Sequence, residues 1–278
     1  MRIVHTIAEL RTALAGAGSV NLVPTMGNLH AGHLSLVARA RQRPGMLVTS
    51  IFVNRLQFGP QEDFSRYPRT LDADCRLLEN AGCDVVFAPA NAEIYPQDQE
   101  YKLVPPAAMA DMFEGAVRPG FFIGVCTVVL KLFNIVRPDS AYFGKKDYQQ
   151  LLIVRRMVAQ LAIPIEIVGC ETVRDEKGLA LSSRNGYLSA PELVEAAELG
   201  RTLRQVASEV RAGAAAWPDL ERRAIQSLRS RHWQPDYVAV RSRADLGLPE
   251  ASIPLVVIGA ARLGGTRLID NYEVPRNI

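Results

Sequence analysis

The sequence predicts an α/β protein, a doubly wound parallel sheet followed by a smaller α+β domain. Two observations carry this. Apolar runs at 20–23, 47–53, 85–88, 141–143 and 165–168 read as buried strands, and the segments between them, 33–41, 70–81, 124–136 and 148–161, space their apolar residues by threes and fours like crossover helices. Strands that alternate with helices of that length form a parallel sheet covered on both faces. Beyond about residue 174 the pattern changes: 191–212 and 217–231 read as two helices, and 237–240, 254–260 and 267–269 as strands. The expected domains are therefore 1–174 and 175–278.

Composition agrees with a folded, soluble chain. Of 278 residues, 48% are hydrophobic and 22% charged, enough apolar side chain for one large domain or two modest ones. The net charge of +3, with basic residues spread along the chain, gives no case for a nucleic-acid or membrane partner and leaves small anionic substrates open. Basic Arg201, Arg204, Arg211, Arg222 and Arg223 are interleaved with Glu195, Glu198, Glu209 and Glu221, the pattern of a solvated mixed-charge face. Cys75, Cys83, Cys126 and Cys170 form no C-x-x-C pair and read as reduced core thiols. Residues 1–10 include His5 and Glu9 instead of a basic and apolar leader, and no run approaches the ~20 apolar residues of a membrane span. A cytoplasmic protein is expected.

Four segments carry candidate chemistry. The first, Pro24-Thr25-Met26-Gly27-Asn28-Leu29-His30-Ala31-Gly32-His33, follows the first buried strand and enters a helix. Glycines there allow close backbone approach, the helix start favours an anion, and two histidines can donate to phosphate oxygens. The plainer alternative is a tight turn with two incidental polar side chains. The second, Gly144-Lys145-Lys146-Asp147-Tyr148-Gln149-Gln150, occupies the matching position after the 141–143 strand. Lys146 can neutralise a phosphate, Asp147 can cap the helix or hold a ribose, and Gln150 follows one turn on, although Lys-Lys-Asp is also an ordinary exposed helix start.

The third, 178–185, places Leu181, Ser182, Ser183 and Arg184 at the domain junction. Hydroxyls and an arginine fork suit a triphosphate, and such a loop can close over one; in isolation the segment also reads as a linker. In the fourth, 52–58, Asn54 and Gln57 supply neutral donors and acceptors for hydroxyl or carboxylate groups. The carboxylates that follow, Asp72 and Asp74 among them, suit a solvated helix start better than a metal cage.

The strings P-T-M-G-N-L-H-A-G-H, F-V-N-x-L-Q-F, Y-P-R-T-L, R-P-G-x-F-x-G-V-x-T-V-V-x-K-L-F-N, F-G-x-K-D-Y-Q-Q, G-L-A-L-S-S-R-N-G-Y-L and R-L-I-D-N run from Pro24 to Asn271 and resemble the pantothenate synthetase family. Within them, H-A-G-H resembles the H-I-G-H turn of the wider nucleotidyltransferase superfamily, and the Ser182 loop its mobile K-M-S-K-S loop. The resemblance implies a Rossmann-like first domain and an ATP-dependent ligase that joins (R)-pantoate to β-alanine. It uses Mg²⁺, passes through a pantoyl adenylate and releases AMP and pyrophosphate.

By the same resemblance, ATP is held by Met26, Gly27, His30, Gly32, His33, Gly144, Lys145, Lys146, Asp147, Val173, Leu181, Ser182, Ser183 and Arg184. His33, His30, Lys146 and Arg184 carry the chemistry, His33 as proton donor. Gln57, Gln150, Asn54 and Met26 line the pantoate pocket, with Gln57 also facing β-alanine. Asp72 and Asp74 are the candidate metal ligands. The family forms homodimers through the first domain. Three residues depart from its pattern: Arg55 stands for a proline, Phe121 for a histidine and Lys145 for a glutamate. An enzyme that stops at nucleotidyl transfer, or an RNA-binding fragment, is the competing reading; the length of the matching strings and the low charge argue against both.

Overall fold

The computed structural model describes residues 1–278 apart from 60, 61, 63, 215 and 275–278. The strands β1 (Arg2–Val4), β2 (Val20–Thr25), β3 (Met46–Ile51), β4 (Val85–Phe87), β5 (Ser140–Gly144) and β6 (Glu166–Cys170) form one parallel sheet in the order β1-β4-β3-β2-β5-β6. Its helices are α1 (Ile7–Ala13), α2 (Ala31–Arg41), α3 (Leu71–Asn80), the single turns α4 (Asn91–Ile94), α5 (Ala107–Ala110) and α6 (Glu114–Val117), then α7 (Phe121–Val136) and α8 (Tyr148–Gln160).

Alternation along the strands sends successive side chains to opposite faces. Val23, Leu47, Val86 and Tyr142 pack with Leu36, Val37 and Ala40 of α2 and with Cys75 and Leu78 of α3. On the other face Phe143 meets Phe133 of α7 edge-on, with centroids 6.5 Å apart. Helix α7 is apolar nearly all round, as a helix enclosed on most sides must be. Each fully buried leucine of these layers contributes about 1.5–3 kcal/mol. The four cysteines are free and buried, and burial pushes the Cys126 thiol up to about 12, which keeps it an inert core side chain.

Strand β1 and helix α1 are not visible in the apolar pattern. A three-residue strand is too short to show a period, but Thr6 and Glu9 form a reciprocal capping box that fixes the start of α1.

The chain divides into two compact units, Met1–Gly144 with Ile153–Glu171, and Lys145–Leu152 with Thr172–Ile278. In the second, β7 (Gln234–Ser242), β8 (Leu255–Leu263) and β9 (Thr266–Val274) form an antiparallel sheet in the order β7-β8-β9. Helices α9 (Ala190–Arg211) and α10 (Trp217–Ser230) cover it through a core that includes Leu203, Leu228, Trp233, Val257 and Leu268. Leu263 pairs directly with Thr266, so Gly264-Gly265 is a two-residue hairpin turn. Among the described residues no helix is long and apolar enough to cross a membrane.

Candidate active site

From β2 the chain proceeds through β3 and β4 on one side, and from β5 to β6 on the other, so the strand order reverses between β2 and β5. Ligands of open α/β sheets bind at such a point, outside the carboxyl ends of the strands. The sheet parts there. β2 stays paired with β3 as far as Thr25 and Ile51, and β5 with β6 as far as Gly144 and Cys170, but β2 and β5 pair only at Asn21–Ser140 and Leu22–Ala141. Pro24, without an N–H, has no donor to continue that ladder.

The histidine turn leaves β2 at this opening. Gly27 has φ +79°, and a Cβ there would lie 3.0 Å from Ile51 Cγ2 and 3.1 Å from an Asp74 oxygen, so only glycine fits. Asp74, 1% exposed, holds the turn: it accepts from Asn28 N at 2.9 Å, Leu29 N at 2.8 Å and Thr70 Oγ1 at 3.1 Å. His30 caps α2, its Nδ1 accepting from Gly32 N at 3.1 Å, and His33 Nδ1 accepts from His30 N at 3.3 Å. With both Nδ1 atoms acting as acceptors, the neutral rings carry their protons on Nε2. The rings lie 4.1 Å apart, a paired set of N–H donors on the first turn of a helix.

The loop after β3 builds a second cluster in the same unit. Asn54, 1% exposed, accepts from Tyr95 Oη at 2.8 Å and Leu56 N at 3.3 Å, and its amide donates to Gln57 Oε1 at 3.1 Å and Gly124 O at 3.1 Å. Gln57 in turn directs Nε2 at Met26 Sδ, 3.0 Å away. Three predicted substrate residues, Met26, Asn54 and Gln57, are thereby joined. Gly124 permits this, since a Cβ there would stand 2.1 Å from Leu56 O.

In the second unit the 3₁₀ turn Lys145–Asp147 opens α8. Lys146 Nζ stands 3.6 Å from Asp147 Oδ1, and the carbonyls of Lys145 and Lys146 both accept from Asn271 Nδ2, at 2.8 and 2.9 Å. Gln150 lies one turn on, partly exposed. Residues 173–181 form a narrow hairpin: Leu181 N donates to Val173 O at 3.0 Å, Arg174 bridges to Ala180, and Asp175 Oδ1 accepts from Lys177 N and Leu179 N, both at 2.9 Å. Ser182 then caps the 3₁₀ turn Ser183–Tyr187 by accepting from Arg184 N at 3.3 Å, and Asn185 ties back to Ala180 O at 3.2 Å. The segment is a tied loop, not a slack linker.

Asp72 is exposed and Asp74 is committed to the turn, and no cluster of three or more His, Cys, Asp or Glu suited to a metal occurs among the described residues. Lys145 does not add loose positive charge beside Lys146, because Nζ pairs with Glu273 at 3.0 Å. Arg55 does not undo its loop, for Asn54 keeps φ −83° and ψ 110°, a conformation the missing proline would also have imposed. Phe121 lies under the Arg118 guanidinium at 3.7 Å.

Sequence reasoning missed the structural task of Asp74 and passed over Arg174, Asp270, Asn271 and Glu273. The last four hold the second unit's loops, and the R-L-I-D-N string was the one signal, covering Asp270 and Asn271.

The parallel sheet with its split carboxyl edge and helix-opening histidine turn places the chain among doubly wound α/β proteins with a ligand crevice at the switch point. Within that class it belongs to the pantoate-beta-alanine ligase family, whose profile matches residues 2–273. A pantothenate synthetase of Leptothrix cholodnii is 59% identical, over 98% of this chain and 100% of that protein. The crystal structure of pantothenate synthetase from Thermus thermophilus superposes with a TM-score of 0.93 at 48% identity, covering 99% of both chains. A Francisella tularensis pantoate-beta-alanine ligase, crystallised with beta-gamma ATP and beta-alanine, gives 0.84 at 32% identity, over 98% of this chain and 97% of its own.

Proposed function

We propose that this chain condenses (R)-pantoate with β-alanine using ATP, releasing AMP and pyrophosphate through an enzyme-bound pantoyl adenylate. The observation that carries the reading is the family match over residues 2–273, supported by paired histidine donors at the opening of the sheet.

In the first half-reaction a pantoate carboxylate oxygen attacks the α-phosphorus and the bond to pyrophosphate breaks. Negative charge grows on the departing oxygen, and donors already in place stabilise it without reorganising. The Nε2–H groups of His30 and His33 fill that role, with His33 giving the proton. Lys146, Ser182, Ser183 and Arg184 take phosphate oxygens, the backbone of Gly27, Gly32, Gly144 and Lys145 together with Asp147 and Leu181 completes the nucleotide contacts, and the Val173 backbone meets the base. Gln57 and Gln150, with Asn54 and Met26 in support, hold pantoate through neutral groups. A fixed cation there would stabilise the carboxylate and blunt its attack. In the second half-reaction the free amine of β-alanine adds to the acyl carbon, AMP leaves and the amine loses a proton. Exclusion of water favours this over hydrolysis.

Mg²⁺ belongs to the reading as a companion of the nucleotide, held chiefly by phosphate oxygens and water, the usual arrangement for this ion. The reading also includes a cytoplasmic location, a homodimer formed through the first unit, and no nucleic-acid or membrane partner.

The test is release of AMP and pyrophosphate from ATP with Mg²⁺ and pantoate, with and without β-alanine. Sustained AMP formation only when all substrates are present supports the ligase. A product that retains the nucleotide would replace it with a nucleotidyltransferase.

A further inference from the structure

Strand β9 has two faces with different tasks. Asp270 and Tyr272 point one way. Asp270 receives Arg174 through two bonds, of 2.6 and 2.8 Å, and the Arg174 guanidinium lies 4.2 Å over the Tyr272 ring. Asn271 and Glu273 point the other way, since successive strand residues alternate. One amide nitrogen of Asn271 donates to the carbonyls of both Lys145 and Lys146, at 2.8 and 2.9 Å, and Glu273 accepts from Lys145 Nζ and Tyr148 Oη, each at 3.0 Å. Arg174 also donates to Gly178 O and Asn271 O, both at 3.1 Å.

Two segments remote in sequence are thus fastened to consecutive residues of one strand. One is the turn that carries Lys146; the other is the hairpin that leads into Ser182, Ser183 and Arg184. The arrangement is specifically built: Asp270 and Asn271 are each 5% exposed, and Gly200 of α9 makes room, because a Cβ there would stand 2.8 Å from Asp270 Oδ2. A buried aspartate and asparagine in a three-stranded sheet carry a desolvation cost that their bonds offset, and here Asp270 accepts from Arg174 while the Asn271 amide nitrogen donates to both carbonyls.

We infer that Asp270 and Asn271 are positioning residues for the phosphate-binding groups, fixing Lys146 and the Ser182–Arg184 loop in one spatial register so that they engage the same nucleotide phosphates. In this role neither needs to touch the nucleotide. This rests on the ligase reading for the identity of the nucleotide, though not for that of the acid or amine.

The test is Asn271→Ala, compared with wild type by titration with an unreactive ATP analogue and by saturation curves for each substrate. Loss of both carbonyl bonds leaves the backbone of the Lys146 turn held only through the Lys145 and Tyr148 side chains on Glu273, and the analogue Kd and the KM for ATP both rise about tenfold, while KM for pantoate and for β-alanine stays within about twofold. A residue that only supported folding would lower the active fraction and leave every KM in place. Asn271→Ser, whose shorter side chain keeps a polar group there but holds its donor back from both carbonyls, loses analogue affinity likewise and serves if the alanine variant does not fold. Analogue affinity equal to wild type in either variant, or an equal rise in all three KM values, overturns the inference. Wild-type enzyme that binds the analogue but releases no AMP with pantoate and β-alanine would overturn the ligase reading instead, and the affinity ratio would still decide this one.

Discussion

The amide of Asn54 donates to Gln57 Oε1 at 3.1 Å, and this fixes which end of the Gln57 side chain acts as donor, its Nε2 facing Met26 Sδ at 3.0 Å. Asn54→Asp keeps the acceptor for Tyr95 and Leu56 but sets a carboxylate oxygen against Gln57 Oε1 and Gly124 O. The Gln57 amide then flips or withdraws. We expect the KM for pantoate to rise on the order of tenfold with the KM for ATP unchanged, and stability to fall by about 1–3 kcal/mol from the orphaned buried carbonyl. Saturation curves and thermal melting check both; a normal pantoate KM would show that Gln57 orients itself.

His30 has two tasks that substitution separates. It caps α2, and in the proposed chemistry it donates to phosphate. Alanine removes both, at a cost of about 1 kcal/mol for the cap. Asparagine restores the cap but not the ring donor. The expected result is that His30→Asn melts like wild type and His30→Ala does not, while turnover falls on the order of 10²-fold in both, as in His33→Ala. Turnover that recovers with stability would reduce His30 to a structural cap.

The alternation of strand and helix was legible because the strands of a parallel sheet are buried on both faces and read as unbroken apolar runs, as in Val48 or Val86. Strand β9 was legible only in part, at 267–269, because its continuation includes Asp270, Asn271 and Glu273. Those polar residues mask the period while serving the loops they hold. The residues proposed to meet ligand drew notice by their position after a strand, as with His30, His33 and Lys146. The task of Asp74 did not, since its partners are backbone amides some 45 residues away in sequence and no local pattern records them.

Asp72 and Asp74 sit two residues apart on the same helix and are expected to behave differently. Asp74→Ala leaves the amides of Asn28 and Leu29 without their acceptor, so we expect a loss of about 1–3 kcal/mol and a weakened KM for ATP. Asp72 is exposed, and Asp72→Ala should leave activity and its Mg²⁺ saturation curve unchanged. A shifted Mg²⁺ curve in Asp72→Ala would restore that residue as a metal ligand.

Glu273 predicts an acid-dependent term. Burial pushes its carboxyl up, but Lys145, Arg243 and Tyr148 together outweigh burial and hold it below the ordinary 4.5. A carboxyl with a depressed folded value binds protons more weakly folded than unfolded. Its stabilisation is therefore complete above pH 4.5 and is lost as pH falls through the lower folded value. Relative to wild type, Glu273→Gln should be less stable at pH 7, with the gap closing on acidification below 4.5. Denaturant unfolding at several pH values measures this, and a gap independent of pH would remove the ion pair as its cause.

Phe121, where the family has histidine, reaches the substrate loop through its neighbour. The Arg118 guanidinium stacks 3.7 Å over the Phe121 ring, donates to Gln57 O at 3.1 Å and clasps Glu62 through two bonds of 2.6 Å. Stacking of this kind is worth about 0.5–1 kcal/mol at a partly exposed site, so Phe121→Ala frees Arg118 to move and with it the backbone of Gln57. The expected effect is a few-fold rise in the KM for pantoate, since 1 kcal/mol corresponds to about a fivefold change, with the fold intact. Phe121→His retains a ring beneath the guanidinium, yet a protonated imidazole would repel it. Its pantoate KM should therefore match wild type at pH 8 and rise towards pH 6, as the ring charges. The same KM at both pH values, together with an unaltered Phe121→Ala, would mean that Arg118 is held by Glu62 alone and that the departure is silent.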